Sequence, residues 1–307
     1  MNGLRLTLLI VLACGSLAIA CRSEGSGSSA ATPAAAIEPS GYELVYRKPS
    51  GDPFTSAEVE QITAVLRERM QSVHPDWNLS ATAEPGNQLH IALPNAPGAS
   101  DVEALRPSFD VSGQLAFEGV ANDSTPGWDA RAERDRLQTW WSAQAAPDLE
   151  HYNKLPHSSG GPPEFIRWRP IKTDVQLPQS ERPSSFLPCV QEQVLHPDRG
   201  WIFGSQDLVR VFRTTDQSGF PAIGFELRSE RQKNFGDFTE EYVQEQIAIV
   251  LDGVIVSAPK VMQRLAGSSI IAGRFQEDEV DAWVTALRSD PLPVQLEFVA
   301  LEPRTAR

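Results

Sequence analysis

Ile247-Ala248-Ile249-Val250-Leu251-Asp252-Gly253-Val254-Ile255-Val256 is the stretch on which the fold of this 307-residue chain turns. Two runs rich in β-branched residues meet at Asp-Gly, the pair that best tolerates the positive φ of a type I′ turn, so the segment predicts a tight hairpin. Downstream, Ile270-Ile271 predicts a brief strand, Gln276–Arg288 a helix with Val280, Trp283, Val284 and Leu287 on one side, and Val294–Phe298 a last strand. Upstream, Val209–Phe212 and Ala222–Leu227 have strand character, and Arg228–Glu240 reads as a helix carrying Phe235 and Phe238. The hairpin therefore lies inside an α+β unit over 205–293.

A second unit precedes it. Tyr42–Tyr46 predicts a strand; Thr55-Ser56-Ala57-Glu58 is a capping box before a helix whose apolar positions Val59, Ile62, Leu66, Met70 and Val73 recur every three or four residues. Leu79–Ala83 and Gln88–Leu93 flank Pro85-Gly86-Asn87 as a hairpin. Ser100-Asp101-Val102-Glu103 reads as another capping box, for a short helix limited by Pro107, and Gln114–Val120 as a further strand. The order β-α-β-β-α-β is the split βαβ arrangement. The expected fold class is α+β: a ferredoxin-like base over 41–120, joined by the last strand at 294–299, with an inserted α+β head.

The spaced residues of the head carry a family pattern. Gly219-Phe220-Pro221-Ala222 with Phe225, Ala248 to Gly253, Ser257-Ala258-Pro259, Gly267, Ile271, Gly273, Phe275, Glu279, Leu287-Arg288-Ser289 and Leu292-Pro293-Val294 together resemble the large periplasmic domain of the SecD family. That resemblance implies a base and head of this build, with the head contacting polypeptide that emerges from the Sec translocon. It marks Asp252, Gly253, Pro259, Gly273 and Pro293 as turn and hinge positions. It also implies membrane helices that couple motion to the proton gradient, but this chain stops at Arg307, where they would begin. Asp290-Pro291 replaces the usual Gly-Ala at the hinge, which stiffens it.

Residues 121–204 match nothing in that pattern. They hold ten of the 24 prolines between Ala121 and Gly200, and their periodicity fails apart from a helix near Trp128–Ala145. Trp140, Trp141, Trp168 and Trp201 lie in or beside this insertion. Two readings stand for them: a satellite core under long loops, or a groove for extended or unfolded polypeptide.

Composition narrows the function classes. With 40 acidic against 27 basic side chains and a net charge of −13, the chain lacks the positive field that phosphate backbones need, so nucleic acid is not an expected partner. The five histidines show no metal spacing, and Ser158-Ser159-Gly160-Gly161 lacks the frame of a nucleophile elbow. Glu277-Asp278-Glu279 falls in a first helical turn, where carboxylates complement the helix dipole, and Asp252 reads as a turn residue. No catalytic residue, metal or cofactor is expected.

The amino terminus reads as an export signal. Arg5 precedes an apolar run from Leu6 to Ala20, shorter than the roughly twenty residues of a membrane span. No later run is as long, so no membrane helix is expected after it. Leu17-Ala18-Ile19-Ala20-Cys21 resembles a bacterial lipobox, with the Cys21 thiol as the lipid acceptor; an ordinary cleaved leader would leave Cys21 as a thiol. Arg22 to Ser40, mostly Gly, Ser, Ala, Thr and Pro, cannot fold and would act as a tether of about 25 Å root-mean-square reach. The expected protein is a non-enzymatic, periplasm-facing lipoprotein held to an envelope membrane. Its partners would be translocating or unfolded polypeptide, the Sec translocon or a separate SecD or SecF. The alternative is a scaffold that binds a folded envelope partner through the enlarged head. Arg22 follows Cys21 where an Asp would commonly signal inner-membrane retention, a hint toward the outer membrane that leaves both membranes open.

Overall fold

A computed structural model describes residues 40–172, 185–265 and 267–304; the leader, Cys21 and the tether up to residue 39 lie outside them. The chain runs β1 (Tyr42–Arg47), α1 (Ser56–Val73), β2 (Ser80–Glu84), β3 (Gln88–Leu93), α2 (Ala99–Leu105) and α3 (Pro107–Asp110) before entering the head. There it forms β4 (Leu115–Gly119), α4 (Ala130–Ala143), α5 (Leu149–Asn153), β5 (Ile166–Pro170), β6 (Phe186–Val190) and α6 (Glu192–Leu195). Next come β7 (Leu208–Thr215), β8 (Pro221–Leu227), α7 (Ser229–Glu241), β9 (Ile247–Leu251), β10 (Val254–Ser257), β11 (Ser268–Ile271) and α8 (Glu277–Leu287). The chain then returns to the base as β12 (Glu297–Pro303).

Local chemistry explains the base. Thr55 and Glu58 make the expected reciprocal cap: the Glu58 amide donates to Thr55 Oγ1 at 3.3 Å and the Thr55 amide to Glu58 Oε2 at 2.7 Å. Lys48 Nζ lies 2.8 Å from both Glu58 oxygens and, with the Thr55 bonds, holds that carboxyl down to about 2. Helix α1 turns Ile62, Leu66 and Met70 inward onto Leu44, Tyr46, Leu89 and Ile91, and the base core forms there. The sheet order is β12-β1-β3-β2, antiparallel throughout. This is the ferredoxin-like order expected for the base.

Two expectations need correction. The strand at 114–120 does not join the base: β4 pairs with β9, Leu115 opposite Leu251 and Gly119 opposite Ile247. The free edge of β1 is taken by β12 instead, which places the split βαβ's last strand after the head. The second capping box does not form either. Ser100 lies inside α2, whose N-cap is Gly98 with no side-chain cap, and Pro107 opens α3 rather than ending a helix.

The head is two three-stranded sheets, β10-β9-β4 and β11-β8-β7, around one aromatic core. Phe117, Phe203, Phe225, Phe235 and Phe238 meet there with Trp201 and the inner face of α8. The Asp252-Gly253 turn has φ of 48° and 82°, as Asp-Gly predicted. Residues 121–204 add a ribbon of β5 and β6 with their own core, in which Leu137, Tyr152, Ile166 and Trp168 are buried. Strand signals there were masked by proline. Pro188 sits opposite Trp168, a position where its missing N–H is not asked to bond β5. Single bridges from Val120 to Cys189 and from Ile171 to Ile255 link this ribbon to both edges of the β10-β9-β4 sheet, so the five strands close on themselves. Leu187, Cys189, Val250 and Ile255 fill the small core of that ring.

Candidate functional site

The base passes into the head through two crossing linkers, 111–114 and 288–292, and their seam is built from side chains distant in sequence. Arg69, on the inward face of α1, is 1% exposed. Its guanidinium donates to the carbonyls of Ser108 (2.9 Å), Val111 (2.6 Å), Ser112 (2.9 Å) and Asp290 (3.4 Å), and to Ser289 Oγ (2.9 Å). Burial lowers its pKa to about 10, still charged at neutral pH. A planar fork of five donors is what lets one side chain satisfy acceptors on both linkers. The Leu292 amide donates to the Ser112 carbonyl at 2.8 Å and so ties the linkers to each other.

Asp252 binds the same seam from the head side. Its carboxylate accepts from the Ser112 amide (2.6 Å), the Ser112 hydroxyl and the Gln114 amide (2.9 Å), while its own amide donates to the Gln114 carbonyl at 2.9 Å. The sequence reading of Asp252 as a turn residue therefore captured its backbone and missed its side chain. Gly253 completes the turn, Gly273 packs against the Phe275 ring, and Pro259 and Pro293 are exposed. The Pro259 carbonyl accepts from the Ile247 amide at 3.2 Å.

Beside this seam opens a cleft of about 640 Å³. One wall is Trp168, Arg169 and Pro170 of β5 with α5; the other is Asp252, Gly253 and Val254, and Gln114, Pro291 and Gln295 close its base side. The basic side chains around it are already paired. Arg169 pairs with Glu118 at 2.5 Å, both nearly buried, and Arg167 with Glu150 at 2.6 Å. Asp148 caps α5 by accepting from the Glu150 amide. Burial works against the Arg169 charge, and the bond from Glu118 more than restores it. What the cleft still offers a visitor is strand edges, the side-chain amides of Gln114, Gln206 and Gln295 and the exposed carboxylate of Asp148.

The four tryptophans do not act as a group. Trp168 (1% exposed) and Trp201 (4%) are core residues of the insertion and the head, closed to any partner in this conformation. Trp140 and Trp141 are half-buried; Trp140 packs on Tyr152 and Trp141 on Phe186, the latter beside a second hollow that Trp168 also lines. The satellite-core reading accounts for Trp168, and the head core for Trp201.

A second polar contact joins insertion to head. Glu192 of α6 is 2% exposed and accepts from the Tyr242 hydroxyl at 2.5 Å. Burial raises its pKa to about 7, and burial likewise keeps the Tyr242 phenol protonated. Gly119 permits the contact, since a Cβ there would fall 1.9 Å from the Tyr242 ring. Neither Arg69 nor Glu192 was legible as a functional candidate, because each looks like one more charge on a helix until its neighbours are known. Among the described residues no group of three or more His, Cys, Asp or Glu side chains could hold a metal ion, and no helix is long and apolar enough to cross a membrane.

Comparison with known proteins bears on the same regions. The family described as the SecDF P1 head subdomain matches residues 186–294, starting at β6 rather than at the expected boundary of 205. The protein translocase subunit SecD of Rhodobacter capsulatus is 34% identical over 145 residues, 46% of this chain and 26% of that protein. SecD of Aquifex aeolicus is 36% identical over 98 residues, 32% of this chain and 20% of that protein. The chain thus spans about a quarter or less of the relatives it matches. Two solved structures share the fold. SecDF in a super-membrane-facing form gives a TM-score of 0.51 at 19% identity, covering 86% of this chain and 30% of that one. A structure of SecDF, a membrane component that enhances protein export, gives 0.50 at 18%, covering 84% of this chain and 98% of that one.

Proposed function

We propose, from the premise that this chain carries a SecD periplasmic domain with its P1 head over residues 186–294, that it assists protein export by binding translocating or unfolded polypeptide. The observation that carries this is the head match set on a ferredoxin-like base, the pairing that SecDF also shows. The protein works at an envelope membrane, held there by lipid on Cys21 and facing the periplasm on its tether, with the Sec translocon or a separate SecD or SecF as its partner. Its surface contribution is non-catalytic: clefts and sheet edges in place of a reacting group.

The test is capture in the native envelope. Cells expressing the full chain, and a Cys21→Ser version, are fed an alkyne fatty acid and a photo-crosslinkable secretory substrate. Lipid label on the native chain but not on Cys21→Ser, with crosslinks to the substrate in transit, is the expected result. No crosslink to substrate or translocon above background sinks the reading. One observation favours the scaffold alternative: burial of Trp168 and Trp201 removes two of the four aromatic residues first considered for polypeptide contact. A scaffold would return one stoichiometric folded partner on pulldown in place of a spread of clients.

A further inference from the structure

The ring of five strands is closed by single bridges at two junctions, and one of these, between β5 and β10, borders the cleft. Strands β5 and β10 meet at the parallel bridge of Ile171 and Ile255, reinforced by the Lys172 amide donating to the Ile255 carbonyl at 2.9 Å. From that bridge towards the amino ends of both strands they part. Pro170, Arg169 and Trp168 line one side of the opening and Val254, Gly253 and Asp252 the other. Two neighbouring strands that diverge leave backbone groups facing a gap, and such groups need partners.

At Trp168 the partner is a side chain. Its amide donates to Asn153 Oδ1 at 2.9 Å, and its carbonyl accepts from Asn153 Nδ2 at 2.9 Å. Trp168 stands opposite Pro188, so these groups face away from β6 and toward the gap. One carboxamide thus supplies the donor and the acceptor that a neighbouring strand would present there. Asn153 is half-buried at the end of α5, a helix of five residues, and it lines the same cleft.

We propose that the cleft between β5 and β10 is a strand-addition site for an extended segment of polypeptide, and that the Asn153 carboxamide closes it until such a segment displaces it. The occupant follows from the chemistry. Arg167 and Arg169 are each paired with a carboxylate of this protein, so the cleft has no free cation to select an anion, and the carboxylates of Asp148 and Asp252, bonded to amides, admit a neutral or basic segment. A peptide backbone is the ligand that both matches the Trp168 edge and suits an amide-lined wall. The site lies between residues 148–170 and the adjoining hairpin. It rests on the polypeptide-binding reading above and states where and how that binding occurs.

The experiment uses the full chain and a fluorescein-labelled peptide of alternating Thr and Val with flanking lysines, about ten residues long. A control peptide carries proline at every second position and cannot donate to one edge. Asn153→Ala is expected to bind the first peptide about three- to tenfold more tightly than the native chain, with no gain for the proline peptide. Hydrogen exchange at the Trp168 amide should be slow in the native chain, fast in Asn153→Ala and slow again once peptide is added. Unchanged affinity with no recovery of Trp168 protection overturns the proposal. Should Asn153→Ala fail to fold, Asn153→Asp keeps the acceptor and loses the donor, and a smaller gain is expected from it. In the native chain a benzophenone version of the peptide should then crosslink within 167–170 or at Val254. If the native chain captures unfolded polypeptide but its crosslinks map elsewhere, this site falls and the functional reading stands; if it captures neither probe, both fall.

Discussion

Two seams hold the head, and they are made differently. The base–head seam is fastened by a fork from Arg69 and a turn carboxylate from Asp252, nearly all of it onto backbone groups of the crossing linkers. The insertion–head seam is fastened by side-chain pairs, Glu118 with Arg169 and Glu192 with Tyr242, over a small apolar ring core. The carbonyls that Arg69 meets do not titrate and Arg69 itself stays charged at neutral pH, so that half of the first seam does not depend on pH there. The second seam contains a carboxyl whose pKa stands at about 7, so its strength depends on pH there.

The largest effect is expected at the first seam. Arg69→Met keeps the apolar stem but leaves the carbonyls of Ser108 and Val111 without a donor and the Ser112 carbonyl with only the Leu292 amide, and should cost about 3–5 kcal/mol by urea denaturation. Arg69→Lys should recover less than half, because a point charge cannot fork to both linkers. A loss under about 1 kcal/mol would mean that the seam is held by α3 and α8 packing instead.

Glu118→Ala comes next. It strands the nearly buried Arg169 charge and should cost about 3 kcal/mol, whereas the double change Glu118→Leu with Arg169→Met should fall near neutral. Equal losses in the two proteins would show that the pair itself, not the stranded charge, carries the energy.

Glu192→Gln gives the smallest change and the most diagnostic one. The folded carboxyl has a pKa raised from about 4.5 to about 7, so between those values the folded state keeps a proton that the unfolded chain has lost. Its stabilising contribution is full below about pH 4.5 and declines as pH rises through 7, by about 2–3 kcal/mol. Urea midpoints of the native chain minus those of Glu192→Gln, taken from pH 5 to about 8, should show that decline. A flat difference would make the Glu192 contact as independent of pH as the Arg69 fork.

How much of this was readable beforehand varies with the range of the interaction. The Asp252-Gly253 hairpin, the Thr55 cap and the α8 stripe were legible because each depends on residues a few positions apart. The strand at 115–119 was legible as a strand but was assigned to the wrong sheet, since nothing local distinguishes a β1 edge from a β9 edge. β5 and β6 were missed because Pro170 and Pro188 break the pattern that announces strands, while the pairing needs no N–H from Pro188 toward β5. Among the aromatics, composition marked the insertion as special but could not sort Trp168, which the core consumes, from Trp140 and Trp141 at its rim.

By itself the sequence determined the elements, the turn and the family pattern of the head, because periodicity, caps and positive-φ residues act over a few bonds. Tertiary structure alone decided that Arg69 would meet carbonyls 39 to 43 residues away and a hydroxyl 220 away. It also decided that Glu192 would be buried and that Asn153 would stand in for a strand. The physical reason is the same in each case: a polar side chain takes its role from the groups that surround it, and those are fixed only when distant segments pack.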